Sequence, residues 1–362
     1  MSERAAFSRD ELIRLRLQNQ QMTATKFDRA EDAVRWMGAV QAQDYAAAKW
    51  AVGQRTKAAT DAMVGQAFAN GKILRTHVMR PTWHFVAPED IRWMLKLTAP
   101  RVNAASAYQY RRLELDAAVF KRSQAVIEKA LRGDNQLTRE ELGVALKNAG
   151  IPAIELRLTY IVMRAELDGV ICSGARRGKQ FTYALLDERA LKTKTLTRDE
   201  SLAELTARYF KSHGPATLRD FVWWSGLTTA DAKAGLEMVK HQFTHESMDD
   251  QIYWFDESTS AGKEKSPTVH LLLNYDEYVV GYTNRRAIFD VSDTKKLDSR
   301  GSPLMNTILM DGKIAGTWKR TIKTKTIEVE LNPFRPLTKE EKLALSNAVE
   351  RYRKFLGLEI LI

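Results

Sequence analysis

The chain has 362 residues, of which 44% are hydrophobic and 28% are charged. This composition is typical of a folded protein with roughly two to four domains, and it excludes disordered and collagen-like proteins. The 56 Lys and Arg residues exceed the 45 Asp and Glu residues, and the resulting net charge of +11 is compatible with a polyanionic partner such as nucleic acid.

Targeting and metal-binding signals are missing from the sequence. No apolar run reaches the roughly 18 to 20 residues of a membrane-spanning helix, and the first residues lack the apolar core of a signal peptide. We therefore expect a cytoplasmic protein with no membrane partner. The single cysteine, Cys172, and six scattered histidines give neither a disulfide nor zinc-site spacing, so no metal is expected.

The first predicted module spans residues 1–113 and contains helical stretches followed by two strand-like segments that flank Pro81. After its second helix the chain reads Gln41-Ala42-Gln43. In an extended chain, this spacing points both carboxamides to the same face, whereas in a helix they diverge by about 200°. Any joint chemistry of the two glutamines therefore requires the extended form.

The second predicted module spans residues 114–195. One helix ends at Gly133, and the next has a Thr138-x-x-Glu141 capping box and ends at Gly150. A third helix precedes two strands around the basic turn 174–179. Three helices followed by a hairpin are typical of a winged helix.

The third predicted module, residues 196–262, repeats this order of elements, with Trp223 and Trp224 expected in its core. Residues 263–362 then form a β-rich domain with a hairpin at Asp311-Gly312 and a closing amphipathic helix. The predicted fold class is α+β, with three tandem winged-helix modules followed by a β-rich C-terminal domain.

The sequence lacks the phosphate-binding Gly-Lys-Ser/Thr loop, the Gly-x-Ser-x-Gly elbow and the His-Glu-x-x-His zinc helix. Instead, Gln41-Ala42-Gln43 and several longer stretches resemble the AlkZ/YcaQ family of winged-helix DNA glycosylases. The motif matches the Gln-hydrophobic-Gln pattern of the AlkZ-like branch. The longer matching stretches are residues 75–95, 213–227, 271–285 and 308–318. One departure is Asn274 and Tyr275, which replace an expected apolar-aromatic pair.

The resemblance implies a monofunctional DNA glycosylase that removes N7- or N3-alkylated purines and unhooks bulky adducts or interstrand crosslinks. Such purines are cationic, so they leave the sugar without a strong general acid. Gln41 and Gln43 would hold the attacking water, because a carboxamide both donates and accepts hydrogen bonds. The expected partner is double-stranded DNA carrying alkylated bases. We expect a monomer associated with the nucleoid, with no cofactor.

Two polar residues beside the glutamines each have two interpretations. Asp44 is either a turn residue or an electrostatic helper of the reaction. His84, on the second strand after Pro81, is either a hydrogen-bonded packing residue or a contact to the lesion strand.

Cationic residues in several modules are candidate DNA contacts. Arg75 and Arg80 are expected to bind backbone phosphates, because cations at such positions neutralise charge without reading sequence. The basic turn of the second module is either a phosphate or minor-groove contact or a solvated turn. Its cations are Arg176, Arg177 and Lys179. Lys319 and Arg320 form a further basic edge.

The sequence is also compatible with a second function. The chain could be a non-catalytic winged-helix DNA-binding protein, such as a transcriptional regulator. Three modules in one chain favour an enclosing cradle, whereas regulators usually present one winged helix per subunit. The two functions can be distinguished by the positions of Gln41 and Gln43. The glycosylase interpretation requires them to come together on an open surface.

Overall fold

The computed structural model describes residues 7–23, 26–190, 195–256, 265–289, 292 and 305–361. Within these residues, no helix combines the length and apolar character needed to cross a membrane.

The first helical unit holds the glutamine motif and a small antiparallel sheet with strand order β1-β3-β2. Ser8 begins its first helix, because its side chain accepts a 3.2 Å hydrogen bond from the Glu11 N–H. The elements are α1 (Arg9–Asn19), α2 (Ala30–Met37), β1 (Val40–Gln41), α3 (Tyr45–Gln54), α4 (Asp61–Ala69), β2 (Leu74–His77) and β3 (Trp83–Val86).

The second helical unit has a sheet with strand order β4-β6-β5. Its predicted capping box is confirmed, since the Thr138 and Glu141 side chains each accept from the other residue's backbone N–H. The elements are α5 (Ile91–Arg112), α6 (Ala117–Leu131), β4 (Leu137–Thr138), α7 (Arg139–Asn148), α8 (Glu155–Leu167), β5 (Ile171–Ser173), β6 (Thr182–Leu185) and α9 (Leu186–Arg189).

The third helical unit ends in a two-stranded antiparallel hairpin. Its elements are α10 (Arg198–His213), α11 (Leu218–Ser225), α12 (Thr229–Val239), a 3₁₀ turn (Lys240–Gln242), β7 (Thr244–Met248) and β8 (Gln251–Phe255).

The C-terminal unit is built on a five-stranded sheet of order β13-β12-β11-β10-β9. The predicted hairpin at Asp311-Gly312 joins β10 to β11, and both residues have positive φ, 46° and 77°. The elements are β9 (Val269–Leu272), α13 (Glu277–Val280), β10 (Thr307–Met310), β11 (Lys313–Ile322), β12 (Thr326–Pro333), α14 (Lys339–Leu356) and β13 (Glu359–Leu361).

The first helical unit shares a hydrophobic core with the C-terminal unit. Trp50 of α3 and Tyr352 of α14 meet with ring centroids 4.8 Å apart, and the Trp50 indole N–H donates to the Leu271 carbonyl at 2.6 Å. Helix α14 thus docks on the sheet, as its apolar stripe predicted. The first helical unit is therefore held on the C-terminal unit by apolar burial.

Helix α1 ties the first unit to the third. Arg16 and Asn19 are buried, and their side chains donate to the carbonyls of Pro215 and Gly214 at 2.9 and 2.8 Å. Each donor satisfies a carbonyl at the end of α10, which would otherwise be buried without a partner.

The mixed α/β class and the β-rich C-terminal part are confirmed. Four helices were not predicted: α3, α5 and the two short helices α9 and α13, of which α13 lies in a stretch expected to be β-rich. Helix α3 is buried on nearly all sides and so lacks an amphipathic stripe, while α5 contains Pro100, a residue that usually marks a helix end. The winged-helix identity of each unit and the domain boundaries stay predictions, and the boundary at 262–263 lies outside the described residues.

Candidate active site

The glutamine motif lies on an extended segment. Helix α2 ends at Gly38, whose φ of 75° turns the chain into β1. There Gln41 is paired opposite His84 of β3, and the Ala42 N–H donates to the Trp83 carbonyl at 2.7 Å. The backbone through Gln41 and Ala42 is therefore a strand edge rather than a helix.

Gln41 and Gln43 contact each other directly. The Gln41 side-chain oxygen accepts a 3.1 Å hydrogen bond from the backbone N–H of Gln43. Because a backbone N–H can only donate, this bond fixes which end of the Gln41 carboxamide is oxygen. Gln41 is 7% exposed, whereas Gln43 is exposed to solvent. The two residues thus meet where the protein interior opens to the surface.

Asp44 begins α3, and its carboxylate accepts a 3.0 Å hydrogen bond from the Ala47 N–H. This contact favours the turn interpretation of Asp44. Its charge also acts on Arg320 of β11: burial lowers the pKa of Arg320, and attraction by Asp44 and Asp61 opposes that shift. The predicted basic edge of the C-terminal unit therefore approaches the start of α3.

A residue that sequence reasoning missed, Glu277 of α13, lies beneath the motif. It is fully buried, and one carboxylate oxygen accepts a 2.7 Å hydrogen bond from the Gln41 backbone N–H. The other oxygen accepts from the Trp224 indole at 3.0 Å and lies 3.4 Å from Nε2 of His213. Burial raises the pKa of Glu277, but His213 and the Gln41 N–H lower it further, below the ordinary value, so this carboxyl is an anion.

The acid beside Glu277 joins a second buried cluster. Asp276 forms a two-pronged ion pair with Arg55 at 2.8 and 3.1 Å, and Arg55 also donates to Gln20 at 2.7 Å. Two adjacent acids inside an apolar stretch were the signal in the sequence, because a buried carboxylate requires a partner. Asn274 and Tyr275, which depart from the family pattern, lie just before these acids. The Asn274 N–H donates to the Asn306 side chain at 3.1 Å, and Tyr275 has a φ of 64°.

His84 is fully buried opposite Gln41 in the sheet. Its Nδ1 lies 3.0 Å from the Thr82 carbonyl, and Nε2 has no hydrogen-bond partner among the described residues. Burial and the nearby Arg80 lower the pKa of His84 to about 3, so the ring is neutral. Since a carbonyl only accepts, the proton lies on Nδ1. This placement favours the packing interpretation of His84.

Arg75 supports the motif from the side. Its Nε donates to the Ala42 carbonyl at 3.0 Å, and its guanidinium lies over the rings of Trp83 and Phe181 at 4.3 and 4.4 Å. Burial lowers the pKa of Arg75 to about 10. With 6% exposure, Arg75 is placed to hold the strand between the two glutamines, which favours a structural role over the expected phosphate contact.

Arg80 lies beside an exposed tryptophan. Its guanidinium is 5.6 Å from the ring centre of Trp223, which is 42% exposed, and burial lowers the pKa of Arg80. The core prediction was right for Trp224, which is fully buried, and wrong for Trp223. Neighbouring helical residues point about 100° apart, so only one of the two can face the core. The exposed ring adds an aromatic surface beside a candidate DNA contact.

The basic turn of the second unit reaches the first unit. Arg176 is half-buried over the rings of Tyr45 and Phe181, at 4.9 and 5.0 Å. Arg177 is exposed and pairs with Glu141 at 2.7 Å. Two further predicted cations are exposed and are the best-placed candidates for phosphate contacts, namely Lys179 of this turn and Lys319 of β11.

No cluster of three or more His, Cys, Asp or Glu side chains that could hold a metal occurs among the described residues. The free Cys172 is buried, and burial raises the pKa of its thiol to about 12. A thiol with so high a pKa is not an active nucleophile. The polar groups around the two carboxamides are the carboxylates of Glu277 and Asp44, the neutral His84 ring and the Arg75 guanidinium.

Comparisons with known proteins agree with this architecture. A family model described as "DNA glycosylase AlkZ-like" matches residues 34–355. An interstrand DNA cross-link repair glycosylase of Streptomyces sahachiroi is 24% identical over 357 residues, covering 90% of this chain and 92% of the relative. The solved structure of the Streptomyces sahachiroi DNA glycosylase AlkZ matches with a TM-score of 0.80 and 19% identity, covering 99% of this chain and 100% of the other.

Proposed function

The chain belongs to the AlkZ-like DNA glycosylase family, and from this premise we propose that it hydrolyses the N-glycosidic bond of N7- or N3-alkylated purines in duplex DNA. The relative named for crosslink repair supports extending the substrate class to bulky adducts and interstrand crosslinks. The observation that carries the proposal is the contact between Gln41 and Gln43 on a strand edge that opens to solvent.

The two carboxamides have different parts in the proposed reaction. The Gln41 oxygen is occupied by the Gln43 N–H, so the Gln41 NH₂ group is left to donate to a water molecule. The exposed Gln43 oxygen can accept a proton of the same water. A water held in this way has one lone pair directed at the sugar.

The bond changes follow from the charge of the substrate. Water oxygen bonds to C1′ while the bond from C1′ to the purine nitrogen breaks, and the electron pair of that bond neutralises the cationic base. The water loses a proton to solvent, because a neutral carboxamide cannot retain it. Normal purines lack the cationic leaving group and are therefore spared.

The buried carboxylate assists without contacting the water. Positive charge develops on the sugar in the transition state, and the Glu277 anion lies directly under the strand that bears Gln41. A fixed anion in a low-dielectric interior stabilises such charge without the reorganisation that solvent would need. Glu277 acts as a positioning residue, and it also sets the local potential.

The test is base release from a duplex containing N7-methylguanine, measured as free base by chromatography. In the presence of EDTA, release should continue and leave an abasic site in an intact strand. Strand cleavage together with release, or a strict metal requirement, would contradict the proposal. Tight DNA binding with no release would favour the non-catalytic DNA-binding alternative.

A further inference from the structure

A cavity lies at the other end of α3 from the glutamines. It has a volume of about 360 Å³ and lies between the C-terminal end of α3, the segment after it, β9 and α14. Helix α3 has 10 residues, which places the cavity about 15 Å from the motif at 1.5 Å per residue. The proposed base-release reaction does not use it.

The cavity wall is cationic. Four cations line it, and none of the described residues that line it is acidic. The cations are Lys26, Lys57, Arg351 and Lys354. The acids that pair with Lys57 and Lys354, Asp28 at 3.0 Å and Glu350 at 3.8 Å, are outside the lining. A volume enclosed by one sign of charge attracts counter-ions.

The same wall contains two buried nitrogens that have no hydrogen-bond partner. They are Nε2 of Gln54, which is 6% exposed, and Nε2 of His270, which is 7% exposed. Burial, with Arg351 and Lys26, lowers the pKa of His270 to about 3, so its ring stays neutral. The Gln54 NH₂ group is a donor, and the neutral His270 ring also donates from Nε2 in the tautomer that carries its proton there. Both nitrogens can therefore serve a ligand that accepts hydrogen bonds.

We propose that this cavity binds a phosphate ester. A phosphate supplies three strong acceptor oxygens for the cations and unpaired donors, and Trp50 and Phe355 give an apolar wall for an attached sugar or base. The phosphate comes either from the DNA backbone or from a free nucleotide, and both have the same recognition chemistry.

The test uses a charge-removing double variant and a matched control. Lys57→Gln with Lys354→Gln removes two exposed cations of the wall, while Lys339→Gln with Lys342→Gln removes two exposed cations from the opposite end of α14. Both doubles lower the net charge by two. Calorimetry with inorganic phosphate and with deoxyguanosine monophosphate measures the free ligands, and a short undamaged duplex measures DNA.

If a free phosphate ester is the ligand, phosphate or the nucleotide binds the unchanged chain, and the cavity double weakens binding roughly tenfold while the control double does not. If the DNA backbone is the source, only duplex affinity falls, and it falls more in the cavity double. Equal behaviour of the two doubles toward all three ligands would overturn the proposal. The phosphate titration involves no base release, so it fails or succeeds independently of the glycosylase proposal.

Discussion

The backbone N–H of Gln41 donates a 2.7 Å hydrogen bond to the buried carboxylate of Glu277, 236 residues further along the chain. Arg75 holds the same segment by donating to the Ala42 carbonyl at 3.0 Å. The strand between the two glutamines is therefore fixed from two sides by charged groups. In the proposed mechanism this rigidity would let two neutral carboxamides orient one water, because loosely held groups would lose the benefit of proximity.

Replacing either glutamine should slow base release with little effect on folding. Gln41→Ala and Gln43→Ala should each reduce the single-turnover rate by roughly 10- to 1000-fold, or about 1.4 to 4 kcal/mol. The double variant should lose much less than the sum, since both side chains act on one water. The exposed Gln66→Ala is the control, and DNA affinity should stay nearly constant in all four. Wild-type rates from folded Gln41→Ala and Gln43→Ala proteins would show that the motif is not catalytic.

Glu277→Gln should impair both stability and catalysis. The new NH₂ group faces either the Gln41 N–H or the Trp224 indole, so one donor is left unpaired, at a cost of about 1 to 3 kcal/mol. Loss of the bond to Gln41 should shift β1, and the displaced glutamines should slow single-turnover release by roughly 10- to 100-fold.

Asp276→Asn is the matched control for Glu277→Gln. It breaks the neighbouring buried ion pair with Arg55 but does not contact Gln41. We expect this variant to melt at a lower temperature and to release base at the normal rate while folded. Equal rates per folded molecule in the two variants would remove Glu277 from the mechanism.

Arg75 and Lys319 should differ in their effect on DNA binding. Lys319 is exposed, so Lys319→Gln should reduce the slope of log affinity against log salt by about 0.9 if it contacts a phosphate, without changing stability. Arg75→Gln removes a buried hydrogen bond and two ring contacts, so it should lower the free energy of unfolding by about 1 to 3 kcal/mol. DNA affinity measured over a range of salt concentrations gives the slope for both variants, and urea unfolding gives their free energies of unfolding. A reduced salt slope in an Arg75→Gln protein of normal stability would show that Arg75 contacts a phosphate, as expected from the sequence.

Acid should destabilise the protein through its buried histidines. The pKa values of His84 and His270 are lowered to about 3 in the folded chain, from 6.5 for a free side chain. Below pH 6.5 the unfolded chain binds protons that the folded chain does not, so the unfolding free energy is greatest above pH 6.5 and falls toward pH 3. Each histidine contributes up to about 1.4 kcal/mol per pH unit.

Urea unfolding between pH 5 and 7 isolates this effect from carboxyl titration, which lies at lower pH. His270→Gln should flatten the dependence on pH, and the exposed His241→Gln serves as control. An unchanged slope in His270→Gln would mean that His270 has the same pKa in the folded and unfolded chains.

Features set by neighbouring residues were predictable from the sequence. The capping box of Thr138 and Glu141 and the turn at Asp311-Gly312 depend on contacts within four residues, and both are present. The Gln41 and Gln43 pair was found because its spacing is local and because the motif resembles a known family.

Features set by distant contacts were not predictable. Nothing near Glu277 indicates that its carboxylate reaches Gln41, and nothing near Arg75 indicates that aromatic rings from two units enclose it. Periodicity places a residue on a face of its own element, but the packing partner depends on tertiary structure. The catalytic roles of Gln41 and Gln43 are thus a prediction from the sequence, whereas the contacts that hold their strand are known only from the structure.

The contact between Gln41 and Glu277 also sets an order of events during synthesis. A ribosome makes the glutamine strand first, and at roughly 5 to 20 residues per second the acid that secures it follows more than ten seconds later. Arg16 and Asn19 of α1 are also synthesised long before the Pro215 and Gly214 carbonyls that accept their hydrogen bonds. A nascent or truncated chain ending before residue 277 would therefore carry both glutamines and still lack an organised site. A truncated chain of this kind would leave DNA unprocessed, and a nascent chain would do so until the last quarter of the protein is being translated.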